Sequence, residues 1–167
     1  MNSLQNESLL TKLIEHNNWA NLQIIQACSV LNDKQLDASP QSTTKGSIRS
    51  TLLHLVASQR GYLSMLTQAE EAQSQTPLTF AELQASAEIS GAGLLAVARD
   101  EATMSVKTKI QAKDGFIIVP WVIMVQVINH ATEHREQIKS MLSDLGVSPP
   151  TIDGWSYGEF TNAYTER

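Results

Sequence analysis

The sequence predicts an all-α protein, a four-helix bundle with a short β-hairpin inserted before the last long helix. Three observations carry that expectation. Four segments repeat apolar residues at intervals of three and four, the period of an amphipathic helix. Polar stretches rather than tight turns join the first three of them, so the connections are long. One further segment, 104–119, abandons the helical period for alternation.

The first helix is read over 4–31, with Leu10, Leu13, Ile14, Ala20, Ile24, Cys28 and Leu31 on its apolar stripe. Asn17 and Asn21 fall inside that stripe, and polar side chains on a buried face require partners. Neighbouring helices and water supply them as readily as a ligand does. Residues 32–47, with Pro40 and Gly46, read as a loop. Ser47 is placed to cap a second helix running to about Thr67, with Ile48, Leu52, Leu55, Tyr62, Leu63 and Leu66 on its stripe. A polar linker, 68–77, follows. Thr79 and Glu82 then have the spacing of a capping box, and Leu78 and Leu83 that of a hydrophobic staple. They start a third helix, 80–100, whose interior Gly91 and Gly93 weaken.

Val106, Thr108 and Ile110 alternate with Lys107 and Lys109, and Asp114-Gly115 marks a turn before Phe116-Ile117-Ile118-Val119. The 104–119 segment is therefore read as the hairpin. Pro120 fits the first turn of a fourth helix, which ends at Leu145-Gly146, with Pro149 and Pro150 barring its continuation. The tail, 151–167, holds Trp155, Tyr157, Phe160 and Tyr164, four of the nine aromatic residues. Such a segment is expected to pack back onto the body.

A chain of 167 residues fits one domain, 1–167, and 42% hydrophobic residues suffice for a core. The net charge of −5, without a run of Lys or Arg, argues against nucleic acid and against an anionic membrane surface as partners. Met1 to Glu7 is polar, with no apolar core of a signal peptide. The longest apolar run, Phe116 to Ile128, is too short to span a bilayer. The single cysteine, Cys28, lies in an apolar helical stretch and reads as a small buried hydrophobe. These features together point to a cytoplasmic protein.

The chemistry-bearing residues are the histidines. His130 and His134 stand at i and i+4 on the fourth helix, with Cβ atoms roughly 5–6 Å apart on one face. Ile123, Gln137 and Met141 project from the same side, so the pair points inward. Such a pair arises often by chance, and two imidazoles bonded to carbonyls would account for it. His54 adds weight. It flanks the apolar stripe of the second helix, and Thr51, Ser58 and Gly61 leave space beside it. His54, His130 and His134 would supply three neutral nitrogens, and three protein ligands with one open position are the arrangement of a catalytic metal site. His16, at the edge of the first stripe, reads as a boundary residue outside this set.

Three segments resemble the DinB/YfiT-like metalloenzymes. They are His16-Asn17-Asn18-Trp19-Ala20-Asn21, then Ser50-Thr51-Leu52-Leu53-His54-Leu55, and then His130-Ala131-Thr132-Glu133-His134-Arg135-Glu136-Gln137-Ile138 followed by Leu145-Gly146-Val147, Pro149-Pro150 and Asp153. The resemblance implies a helical bundle with a long crossover and a divalent metal, zinc or nickel, on His54, His130 and His134. It also makes a homodimer plausible. Asn17, Asn21 and Asp153 become candidates for contacts around the ligands or with a small-molecule substrate. The turn at Pro149-Pro150 predicts a tail closed over the metal pocket. Two positions depart from the pattern: His16 stands in place of a frequent tyrosine, and Gln59 in place of a frequent acidic residue.

Characterised relatives in that family include enzymes that use a low-molecular-weight thiol, such as bacillithiol or mycothiol. The favoured expectation is thus a metal-dependent S-transferase with a thiol cosubstrate. A metal-dependent hydrolase is the second reading, because His130-Ala131-Thr132-Glu133-His134 fits the H-x-x-E-H pattern. However, Glu133 falls about 80° from the centre of the histidine pair on a helix of 3.6 residues per turn. A non-enzymatic, metal-binding stress protein is the third.

Overall fold

The computed structural model describes residues 8–39, 46–69, 79–105, 107–112 and 115–164. The expected helix start at 4, most of the 68–77 linker, Leu78 of the staple, Val106 and Asp114 lie outside them.

Helix α1 (Leu9–Cys28) begins where the Ser8 hydroxyl accepts the Thr11 amide. It ends at Cys28, three residues before the expected 31, and is capped by Ser29. Its hydroxyl donates to the Gln26 carbonyl. A one-turn helix, α2 (Asp33–Leu36), occupies what the sequence suggested was plain loop. Asn32 and Gln35 form a capping box there that the sequence reading overlooked. Helix α3 (Ile48–Thr67) is capped by Ser47 as expected. The Thr79–Glu82 capping box opens α4 (Phe80–Arg99), with both reciprocal bonds formed.

The hairpin exists but is short. Strands β1 (Ile110–Gln111) and β2 (Ile117–Ile118) pair antiparallel, Ile110 opposite Ile118. The stretch after α4 is turn rather than strand: the Thr108 hydroxyl donates back to the Ala102 carbonyl, diverting the backbone before β1. Helix α5 (Pro120–Asp144) carries Pro120 in its first turn. Its end is a Schellman motif. Gly146, at φ +72°, donates to the Ser143 carbonyl, and Val147 donates to the Leu142 carbonyl at 2.9 Å. The tail then forms α6 (Gly154–Phe160), capped by Asp153.

The four long helices form a bundle in which α1 and α3 each pack on both α4 and α5. The two interior glycines of α4 serve this packing. A Cβ on Gly91 would stand 2.9 Å from the Asn18 side chain, and one on Gly93 would stand 2.5 Å from Leu63. Their absence of a side chain lets α4 approach α1 and α3 together.

The core divides into two apolar clusters. One gathers Ile24, Ile25, Leu52, Leu55, Ile138 and Leu142 with their neighbours, the other Ile14, Leu66, Leu94, Ile123, Met124 and Val127. Between them along the chain lie buried polar residues: Asn17 and Asn21 on α1, Gln59 on α3 and Ser90 on α4. No helix among the described residues is long and apolar enough to cross a membrane.

Candidate metal centre

His54 meets His130 and His134, while Tyr62, two turns further along α3, meets Gln126 and His130. Helices α3 and α5 therefore run antiparallel, and the histidines face one another across the groove between them. His54 and His130 approach to 3.1 Å between their Nε2 atoms, and so do His130 and His134. Each residue offers a ligand nitrogen within 4.8 Å of the others. Among the described residues this is the one such cluster of His, Cys, Asp or Glu. Exposure is graded across it: His134 is buried, His130 half-buried and His54 exposed. The cluster thus opens toward solvent on the His54 side.

The donor set fits a divalent cation. Two nitrogens bound tetrahedrally at about 2.1 Å would stand about 3.4 Å apart, close to the separations present. Gln137 reinforces the fit: His134 Nδ1 and Gln137 Oε1 lie 2.9 Å apart. The Nδ1–H donates to that oxygen, which leaves the Nε2 lone pair aimed at the cluster. Imidazole coordinates through its neutral form, so a dication held by these three would keep its charge and favour an anionic fourth donor.

Directly after His134 comes Arg135, 4% exposed and at the centre of the polar layer. Its guanidinium donates to Asn17 Oδ1 at 2.8 Å, to Asn21 Oδ1 at 2.6 Å and to the Thr132 hydroxyl at 3.0 Å. Asn21 in turn donates to Gln59 Oε1, and Gln59 donates to the Ala87 carbonyl and the Ser90 hydroxyl. Burial pushes the Arg135 guanidinium down to about 10, so it stays charged at neutral pH. Asn17 turns its oxygen to that charge at the expense of its own Nδ2, which is buried without a partner.

Asn17 and Asn21 therefore hold Arg135, and their hydrogen bonds do not reach the histidines. Gln59 lies in the same layer, not in the metal groove. An amide suits it there, because a carboxylate could not donate to the Ala87 carbonyl. Asp153 is exposed and caps α6 through the Ser156 amide at 2.8 Å. That bond holds its carboxyl below the ordinary carboxylate range.

The described part of the tail lies against α1 rather than over the histidines, and Trp155, Phe160 and Tyr164 stay largely exposed, so its aromatic content buries less than expected. Tyr157 and Phe160 lie against Trp19 at centroid distances of 5.3 and 5.7 Å. His16 joins them, donating from Nε2 to the Ile152 carbonyl at 2.9 Å. The tail follows its aromatic partners, and these stand on the outer edge of α1. His16 is thus a tail anchor outside the histidine cluster, as the sequence suggested. Cys28 is a buried thiol pushed up to about 12 by burial, and so inert. Glu133 is exposed on the flank of α5.

The sequence alone does not single out three residues near the cluster: Arg135 as the hub of the polar layer, Tyr62 beside His130, and Gln126 against Tyr62. Arg135 left a signal, a charged residue in register with Ala131 and Ile138 on the buried stripe of α5. Tyr62 read only as an apolar stripe residue.

A helical bundle with three convergent imidazoles on two facing helices defines a class of bundle with a site that could hold a divalent metal. The family model that matches places the chain more narrowly. It matches residues 1–167, and the chain belongs to the DinB family. No curated protein matches the chain in sequence.

Proposed function

We propose that this protein is a metal-dependent enzyme that joins a low-molecular-weight thiol to an electrophilic small molecule. The observation that carries the reading is the convergence of His54, His130 and His134 on a groove open at the His54 side. Zinc or nickel suits such a site, since three imidazoles accept either. When bound, the ion would supply Lewis acidity that keeps a coordinated thiol deprotonated near neutral pH.

The chain's own residues do the rest. His134 is held in one tautomer by Gln137. His130 lies between His134 and His54, and the helices α3 and α5 fix the spacing. The exposure of His54 leaves that side of the cluster open to a ligand. Hydrolysis is the weaker reading, because Glu133 is exposed on the flank of α5.

The test is elemental analysis of protein purified without added metal, then loading with zinc or nickel and a screen of thiols against epoxide and halide electrophiles. One equivalent of metal and metal-dependent thiol consumption are expected. Failure to hold metal would overturn the reading. Metal without turnover on any pair would leave a metal-binding scaffold instead.

A further inference from the structure

The groove beside the histidines has one wall that the metal reading leaves unused. Tyr62 is half-buried on α3, and its ring meets the His130 ring edge-on, with centroids 5.7 Å apart at 83°. That is an ordinary aromatic contact distance, so the phenol lies directly against one of the three candidate ligands. Its hydroxyl is the acceptor of a hydrogen bond from Gln126 Nε2 at 3.4 Å. Gln126 stands one turn before His130 on α5, so the two helices that carry the histidines also carry this pair. With Gln126 as donor, the hydroxyl keeps its own hydrogen, and no acceptor for it is present among the described residues. A hydroxyl hydrogen at the rim of this groove, beside His130, is placed to meet an acceptor on a molecule that occupies the groove. Next to Tyr62, the space at Gly61 is open.

We propose that Tyr62, oriented by Gln126, is the hydrogen-bond donor of this site toward an oxygen of the bound substrate. The inference rests on the metal reading above. It narrows the substrate to an electrophile carrying an oxygen acceptor, such as a carbonyl, carboxylate or epoxide, rather than a plain alkyl halide. Negative charge that gathers on such an oxygen would meet the Tyr62 hydroxyl as a donor beside it. Gln126 is a positioning residue: it touches the hydroxyl, not the substrate.

The test uses the full chain loaded with cobalt(II), whose visible spectrum reports on ligands. Two probes are titrated. Acetohydroxamate binds through oxygens that accept hydrogen bonds, whereas imidazole keeps no acceptor once its nitrogen is coordinated. Tyr62→Phe retains the ring and its packing, so cobalt stoichiometry is expected to be unchanged. Acetohydroxamate should bind about tenfold more weakly, as expected for loss of a hydrogen bond to a charged group. Imidazole affinity should not move. Gln126→Leu should weaken acetohydroxamate in the same direction by a smaller factor. Equal acetohydroxamate affinity in wild type and Tyr62→Phe, with cobalt bound in both, would overturn the role of Tyr62 and leave the metal site standing. Equal weakening of both probes would overturn it too, by showing a change of shape rather than a lost donor. A wild-type chain that takes up no cobalt would remove the metal reading first and this inference with it.

Discussion

Two polar groups meet α5 at adjacent residues, and they differ in composition, in exposure and in how their hydrogen bonds are shared. His134 belongs to a cluster whose ring nitrogens face one another and whose outer member, His54, is exposed. Arg135, the next residue, belongs to a layer whose donors and acceptors are nearly all spent on each other. Side chains one residue apart on a helix point about 100° apart, so one turns into the α3 groove and the other toward α1. The lesson is that a buried polar residue does not by itself mark a functional site. What separates the two groups is exposure: Arg135 and its partners Asn17, Asn21 and Gln59 are buried, whereas the histidine cluster opens to solvent at His54.

The strongest way to test that contrast is to break the structural half. Arg135→Ala strands the oxygens of Asn17 and Asn21 and leaves a cavity between the two apolar clusters. Unpaired buried acceptors cost about 1–3 kcal/mol each, and the cavity adds to them. A loss of about 3–5 kcal/mol in urea unfolding is expected. Zinc bound per folded chain should stay near the wild-type value. A variant as stable as wild type would mean that the layer is dispensable, and the contrast would fail from that side.

Breaking the functional half should give the opposite pattern. His54→Asn, His130→Asn and His134→Asn should each lose most bound metal. A ligand present at 100 times its dissociation constant stabilises the folded state by about 2.7 kcal/mol, and each variant should forfeit that increment. In chelator, His54→Asn should melt with wild type, because His54 is exposed and gives up little packing. His134→Asn should melt lower even in chelator, since that ring is 2% exposed. Melting curves with and without chelator, beside metal stoichiometry, check all three. Full occupancy in the His54 variant would dissolve the triad.

How much of this was legible in the sequence divides along the same line. Local signals were readable: the Ser47 cap, the Thr79–Glu82 box, Pro120 in the first turn and Gly146 after the last are satisfied within a few residues of themselves. The i, i+4 histidines and the small residues beside His54 were readable too, because helical periodicity places them. Partners across helices were not. Asn17 and Asn21 stood out as polar in an apolar stripe, but nothing in one helix says that their partner is 118 or 114 positions away on α5. The tail likewise announced that it would pack, through its aromatics, but not on which face. The brief strands fell short of their expected length because the described residues from 104 to 109 are turn or irregular, with the Thr108 hydroxyl donating back to the Ala102 carbonyl, where alternation alone would assign a strand.

A finer test lies at Gln137, which joins the two halves by serving a histidine from within the helix. Its Oε1 accepts the His134 Nδ1 proton. Gln137→Leu removes that acceptor and leaves the ring free to turn or change tautomer. Loss of such a supporting partner typically lowers metal affinity 10–100-fold. Competition with a zinc indicator measures it. Unchanged affinity would show that the packing around His134, not Gln137, sets its orientation.

The smallest effect is expected at the tail, which the contrast places with the structural half. His16→Phe keeps a ring against Trp19 and Tyr157 and removes the hydrogen bond to the Ile152 carbonyl. One such bond contributes about 1 kcal/mol. Ile152 is itself buried, so its carbonyl loses a partner that water does not easily replace. Metal content should be that of wild type, because the tail docks on α1 and not over the histidines. The Asp153 cap adds a pH signature. Its folded-state carboxyl is held below the ordinary 3.8 by the Ser156 amide. The cap therefore contributes stability that is present above 3.8 and lost as the pH falls through the lowered value. Tryptophan fluorescence from Trp19 and Trp155 should report tail release at acid pH, and Asp153→Ala should abolish that transition while leaving metal binding at neutral pH intact. Loss of metal in either variant would return the tail to the site and erase the boundary between the two regions.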